Sequence, residues 1–223
     1  MCEKVDADVR EVSKAIGMDT RIGDKFLNAS VGFGGSCFKK DILNLVYLCE
    51  TFGLNEVATY WENIVKMNDY QMNRFVQTIM KAMFNTITNK RIALFGFAFK
   101  ANTSDTRETA ALYVTRKLMT EKAKVVISDP KAIKNAKNDL KEYGNDIEYQ
   151  EDPYKAAKGA HAIAVITEWD LYKKLDYEKI YADMEKPAFI FDGRNILDHE
   201  KLFKIGFEVH LIGKPPLIHF KED

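Results

Sequence analysis

The 223-residue chain is 46% apolar and balances 33 Lys and Arg against 33 Asp and Glu. It can therefore fill a substantial core, while offering no net field to draw nucleic acid, an anionic membrane or a polyacidic partner. Three cysteines, Cys2, Cys37 and Cys49, are an odd number without zinc-type spacing, which argues against a disulfide framework or a structural metal and for a reducing compartment. No apolar run reaches membrane-spanning length, and Met1 to Arg10 is charged with no hydrophobic stretch behind it, so a cytosolic protein is expected.

In chain order, Asp6 is placed to cap a helix whose apolar positions Val9, Val12, Ala15 and Ile16 recur at helical spacing, with Gly17 as its stop. A helix so close to Met1 suggests that further sequence precedes this one. A glycine-rich stretch over Ser30 to Phe38 follows, then a helix from Asp41 to about Glu50 that turns Ile42, Leu45, Val46 and Cys49 to one side, making Cys49 a core residue. From Asn55 to Thr88 a proline- and glycine-free pattern carries Val57, Trp61, Ile64, Val65, Phe75, Ile79, Met80 and Met83, and predicts one long helix or two in line, connecting two domains.

Past Asn89 the rhythm changes. Strands are expected at 91–97, 124–128, 160–166, 188–191 and 207–212, with a helix at 109–120 and helical segments between the later strands. Strands separated by helical crossovers imply a parallel, doubly wound α/β sheet, and ligands then bind beyond the carboxyl ends of the strands. The expected organisation is a helical unit over 1–88, a Rossmann-like sheet over 89–213 and a frayed polar tail over 214–223.

Chemistry concentrates in Gly32-Phe33-Gly34-Gly35-Ser36-Cys37-Phe38-Lys39-Lys40-Asp41. The glycines permit close approach of backbone to a ligand. Cys37 falls just before a helix start, where unpaired amides, the helix dipole and the charges of Lys39 and Lys40 favour a nucleophilic thiolate. Asp41, one turn on, is placed either as a base or as a helix-start carboxylate. Taken alone, a cysteine after a flexible loop is more often a small buried hydrophobe; the glycines and lysines shift the balance toward function. The first strand of the sheet unit leads into Gly96-Phe97-Ala98-Phe99-Lys100, without the G-x-G-x-x-G turn of a dinucleotide fold. Asp129, at the end of the next strand, reads more simply as part of a turn with Pro130 than as a ribose ligand.

The run from Val31 to Asp41 with Leu43-Asn44-Leu45 resembles the cysteine signature of the UDP-glucose/GDP-mannose dehydrogenase family. Gly17-Met18-Asp19 with Arg21-Ile22-Gly23, the Gly96 to Lys100 block with Asp105-Thr106-Arg107-Glu108, and Phe191-Asp192-Gly193-Arg194 are similar to further family blocks in the same order. The resemblance implies NAD-dependent two-step oxidation of a nucleotide sugar, UDP-glucose to UDP-glucuronate, through a thiohemiacetal and a thioester on Cys37, with Asp41 moving protons around a bound water. It implies sugar-nucleotide contacts from Asn28, Ala29, Ser30, Val31, Gly32, Phe33 and Gly34, from Phe99, Lys100 and Arg194, and from Arg21 reaching into a neighbouring subunit of a homo-oligomer.

Contacts to NAD are implied for Cys37, Phe38, Lys39, Lys40 and Arg107. The family's Gly-rich dinucleotide domain is not recognisable in the sequence, so turnover by this chain alone is not expected. Asn28 departs from the family's usual lysine and Lys39 from its usual glutamine. A module that binds nucleotide sugar or joins subunits without catalysis, and a dehydrogenase for another sugar such as GDP-mannose, are the competing expectations.

Overall fold

The computed structural model describes residues 1–220. Six parallel strands form one sheet in the order β3-β2-β1-β4-β5-β6. They are β1 (Arg91–Phe95), β2 (Lys124–Ser128), β3 (Ile147–Tyr149), β4 (Ala162–Val165), β5 (Phe189–Asp192) and β6 (Glu208–Leu211). The chain winds outward from β1 in one direction and then from β4 in the other, which makes the β1/β4 seam the topological switch point. β4 and β5 are buried at every position, as expected for strands covered on both faces by crossover helices. The strand β3 escaped sequence reading because three residues, Ile-Glu-Tyr, make no apolar run.

Ahead of the sheet lie α1 (Val9–Gly17), α2 (Phe38–Thr51) and α3 (Asn55–Ala82). The cap of α1 is Asp8, whose carboxylate accepts from Arg10 N–H at 2.8 Å, whereas Asp6 sits at φ 54° outside the helix. Helix α2 starts one turn earlier than its apolar pattern, at the Asp41 N–H···O=C Cys37 bond of 2.8 Å. Helix α3 is continuous for 28 residues but ends before Thr88, because Phe84 and Asn85 take left-handed φ of 63° and 57°. It serves two cores. Val65 and Ala58 pack with Ile42, Val46 and Cys49 of α2, while Met72, Phe75, Val76 and Ile79 join the sheet core.

β1 stops at Phe95, two residues short of its apolar run. Gly96 turns at φ +95°, where a Cβ would lie 2.3 Å from Thr167 Cβ. In the first crossover, Thr109, the first residue of the helix expected at 109–120, caps α4 (Ala110–Thr120). The segment after β6 is tied rather than frayed as far as His219: Leu217 pairs with Val209 in both directions at 2.8 and 2.9 Å and His219 N–H donates to Glu208 at 2.9 Å; residues 221–223 of the expected tail lie outside the described residues. No described helix is long and apolar enough to cross a membrane.

Candidate active site

The glycine-rich loop crosses the carboxyl ends of β1, β4 and β5, at the switch point. Val31 is fully buried, and a Cβ on Gly193, just after β5, would lie 2.3 Å from its Cγ2. Ser30 Oγ accepts from Arg194 Nη1 at 2.7 Å. Gly35, at φ +89°, rests on the Phe99 ring beyond β1 and donates to Arg107 O at 2.9 Å. Helix α3 grips the loop from the opposite side: Asn68 accepts from Phe33 N–H at 2.8 Å and donates to Phe33 O at 3.1 Å, and Gln71 donates to Ser30 O at 3.3 Å. Asn68 is buried, and Gly32 has no room for a side chain beside it and Met72.

Cys37 is the exposed N-cap residue of α2 and makes no capping bond of its own, with Ser36 Oγ 3.6 Å from its Sγ. The sulfur is therefore exposed at a helix start, where a reagent or substrate can reach it. Cys49 is buried between α2 and α3, as its pattern indicated. Around Cys37 the expected charges are present but engaged. Lys39 pairs with Glu108 at 2.9 Å and Lys40 with the exposed Asp41 at 3.2 Å. Arg107 pairs with Asp105 at 2.6 Å, which holds that carboxyl below its usual range while the guanidinium stays exposed.

Arg194 is brought to the loop, its guanidinium shared between Ser30 and Glu168 at 2.8 Å. The buried Asp192 aims it, accepting from the N–H of Arg194 and of Leu197 and meeting His199 Nε2 at 2.9 Å. Beside Arg194 opens a cavity of ≈ 640 Å³ whose walls include Asn28, Ala29, Arg10, Lys14, Lys173 and Glu168. Lys100 is exposed, its ammonium 5.4 Å from the centre of the Phe99 ring. Arg21 stands apart from this cluster, exposed and paired with Asp19 at 2.6 Å.

Asp129 is spent inside the fold. One oxygen accepts from Phe97 N–H (2.7 Å), Ala98 N–H (3.1 Å) and Trp169 Nε1–H (3.1 Å); the other accepts from Lys131 N–H (2.8 Å) and Ala132 N–H (2.7 Å). A carboxylate holding five donors has nothing left for a ribose, so the turn reading of Asp129 holds and this sheet's own crevice does not fit a dinucleotide. Asn68, Gln71, Glu108 and Glu168 went unassigned in the sequence. For Asn68 a signal existed, an amide one turn from Val65 and Met72 on the apolar stripe of α3.

A doubly wound nucleotide-binding sheet with a cysteine loop across its switch point defines a class of protein that can hold a nucleotide beside a nucleophile. The chain belongs to the UDP-glucose/GDP-mannose dehydrogenase family: residues 1–70 match the family's central domain and residues 93–199 its UDP binding domain. It is 52% identical over 96% of its length to UDP-glucose 6-dehydrogenase 4 of Arabidopsis thaliana and 53% identical over 96% to UDP-glucose 6-dehydrogenase of Mus musculus, covering 48% and 46% of them. It thus spans about half the length of the curated relatives it matches. Among solved structures, a UDP-glucose dehydrogenase from Pyrobaculum islandicum matches 92% of the chain and 45% of its own at a TM-score of 0.76 and 28% identity.

Proposed function

We propose that this chain carries the nucleophile and the sugar-nucleotide pocket of a UDP-glucose 6-dehydrogenase, which oxidises UDP-glucose to UDP-glucuronate. The observation that carries this reading is the loop bearing Cys37, clamped across the carboxyl ends of β1, β4 and β5 with Arg194 and Phe99 on its far side. The unit over 89–213 receives the UDP moiety between the loop 28–34, Phe99, Lys100 and Arg194, and the helical unit over 1–88 presents the thiol. Arg194 supplies a charge-assisted contact to the diphosphate, and Phe99 packs against a ring or the loop itself.

Cys37 holds the sugar C6 first as a thiohemiacetal and later as a thioester, so the aldehyde does not escape between the two oxidations. Asp41, one turn along α2, moves protons to and from the water that releases the carboxylate. NAD, when bound, supplies the hydride acceptor. Of the residues expected to meet it, Lys39, Lys40 and Arg107 each already hold a carboxylate, and Arg107 is the one whose guanidinium fork suits a pyrophosphate. A homo-oligomeric assembly in the cytosol completes the proposal. Leu43, Tyr47, Phe52, Tyr60 and Met67 leave a large apolar surface on α2, α3 and the turn joining them uncovered, and Arg21 is exposed beside Asp19.

The test is substrate protection. Iodoacetamide should label Cys37 well before Cys49, and UDP-glucose should slow labelling of Cys37 alone. Protection by GDP-mannose and not by UDP-glucose would change the substrate; protection by neither would place the nucleotide elsewhere.

A further inference from the structure

The cysteine loop and the 105–108 turn meet backbone to backbone. Gly35 donates to Arg107 O at 2.9 Å, and Phe99, beneath Gly35, donates from its own N–H to Asp105 O at 3.0 Å. At Gly34 a Cβ would lie 2.5 Å from Glu108 O, so two backbones touch where the glycines permit it. One ion pair crosses the same seam, Lys39 Nζ to Glu108 Oε2 at 2.9 Å. Glu108 takes φ +52°, a left-handed conformation that ordinary side chains avoid and that persists where its surroundings over-determine it.

The residue before it is Arg107, anchored on Asp105, and its carbonyl takes the Gly35 amide two residues ahead of Cys37. The turn therefore does two things. It seats the cysteine loop, and it carries Arg107 on the segment that the loop touches. Both members of the crossing pair are at least 32% exposed at the side chain, so solvent screens their direct field at the sulfur. Their effect is mechanical, through the seam they close.

We propose that Lys39 and Glu108 are positioning residues whose ion pair closes the cysteine loop onto the 105–108 turn and so keeps the Arg107 charge beside the Cys37 sulfur. The inference rests on Cys37 acting as a nucleophile for its consequence, but the seam can be measured independently of it. The opposite signs of the pair separate a latch from a simple field. A field acting directly would make loss of the lysine raise the pH at which Cys37 becomes reactive and loss of the glutamate lower it. A latch makes both losses raise it, because either one frees Arg107 from the thiol.

The experiment uses the full chain with Lys39→Gln, Glu108→Gln, the charge-swapped double variant K39E/E108K, and Arg107→Gln. Two quantities are read, hydrogen exchange at the Gly35 amide and the pH profile of Cys37 alkylation by iodoacetamide. Each single variant at the pair should speed Gly35 exchange about two- to fivefold, the range an exposed ion pair supports, and should move the alkylation midpoint upward. The swapped pair should restore both, and Arg107→Gln should raise the midpoint without speeding exchange. Unchanged Gly35 exchange in both single variants, or midpoints that move in opposite directions, would overturn the latch. A midpoint indifferent to Arg107→Gln would overturn its route through Arg107. Failure of UDP-glucose to shield Cys37 alters neither readout, so the two proposals fall separately.

Discussion

Asn68→Asp exchanges one NH2 group for an oxygen, yet it should be among the most damaging conservative changes in the helical unit. In the native chain the amide reads Phe33 in both directions, accepting at 2.8 Å and donating at 3.1 Å. The variant keeps the first bond and loses the second, worth about 0.5–1.5 kcal/mol net. It also sets a carboxylate oxygen against the Phe33 carbonyl, leaving acceptors without a donor at a further cost of about 1–3 kcal/mol. The expected loss is about 2–4 kcal/mol, a large share of the ~5–15 kcal/mol typical of a folded protein. Urea melts followed by Trp61 and Trp169 fluorescence would read it as a lower midpoint at unchanged slope. The pH dependence supplies an internal check. Repulsion by the carbonyl raises the folded pKa of the new carboxyl above its unfolded value of about 3.9, so the deficit should shrink as pH falls through that raised pKa and the acid becomes a donor. Native-like stability at neutral pH would mean that Asn68 does not hold the loop, and the account of how Cys37 is presented would fail with it.

Asp129→Asn should destabilise by about 3–5 kcal/mol, since an amide nitrogen placed among five donors forfeits at least two bonds to a charged acceptor; a thermal melt within a degree or two of the native one would contradict this. Burial pushes the His210 imidazole, which stacks on Phe191 at 5.0 Å, down to about 4. The unfolded chain therefore takes up its proton near pH 6.5 while the native one stays neutral, so stability is full above pH 6.5 and is lost as pH falls toward 4, by about 3 kcal/mol. His210→Phe should remove that part of the acid slope in urea titrations. By calorimetry, Arg194→Ala should weaken UDP binding by about 1.5–3 kcal/mol, whereas the exposed Lys100 should contribute about 1 kcal/mol or less; equal effects would show that the diphosphate lies nearer Lys100.

The alternation of strands and helices past Asn89 announced the parallel sheet, because buried strands leave continuous apolar runs and helical crossovers leave periodic ones. The short β3 carried no such run. Cys37 was legible as a helix-start thiol because glycines, lysines and the periodicity of α2 surround it in the chain itself. What supports it was not legible. Asn68 lies 31 positions away, and Glu108 reaches Lys39 across 69 positions; hydrogen-bond partners that distant leave only a polar residue in an apolar stripe, or an unremarkable glutamate, as their trace. The left-handed turn at Phe84 and Asn85 left only a faint trace, since Asn takes such φ readily and Phe does not.

The continuous helix α3 has a mechanical consequence. Asn68 stands at its midpoint, between Val65 of the smaller core and Met72 of the larger. At 1.5 Å per residue the arm from Asn68 back to Asn55 is about 20 Å long, so a tilt of about 5° around that point swings the far end by about 2 Å. The Phe33 clamp, sitting at the fulcrum, scarcely moves. A displacement at the outer end of the α2–α3 hairpin therefore reaches the clamp much reduced, because Met72 to Ile79 beyond it are held in the sheet core.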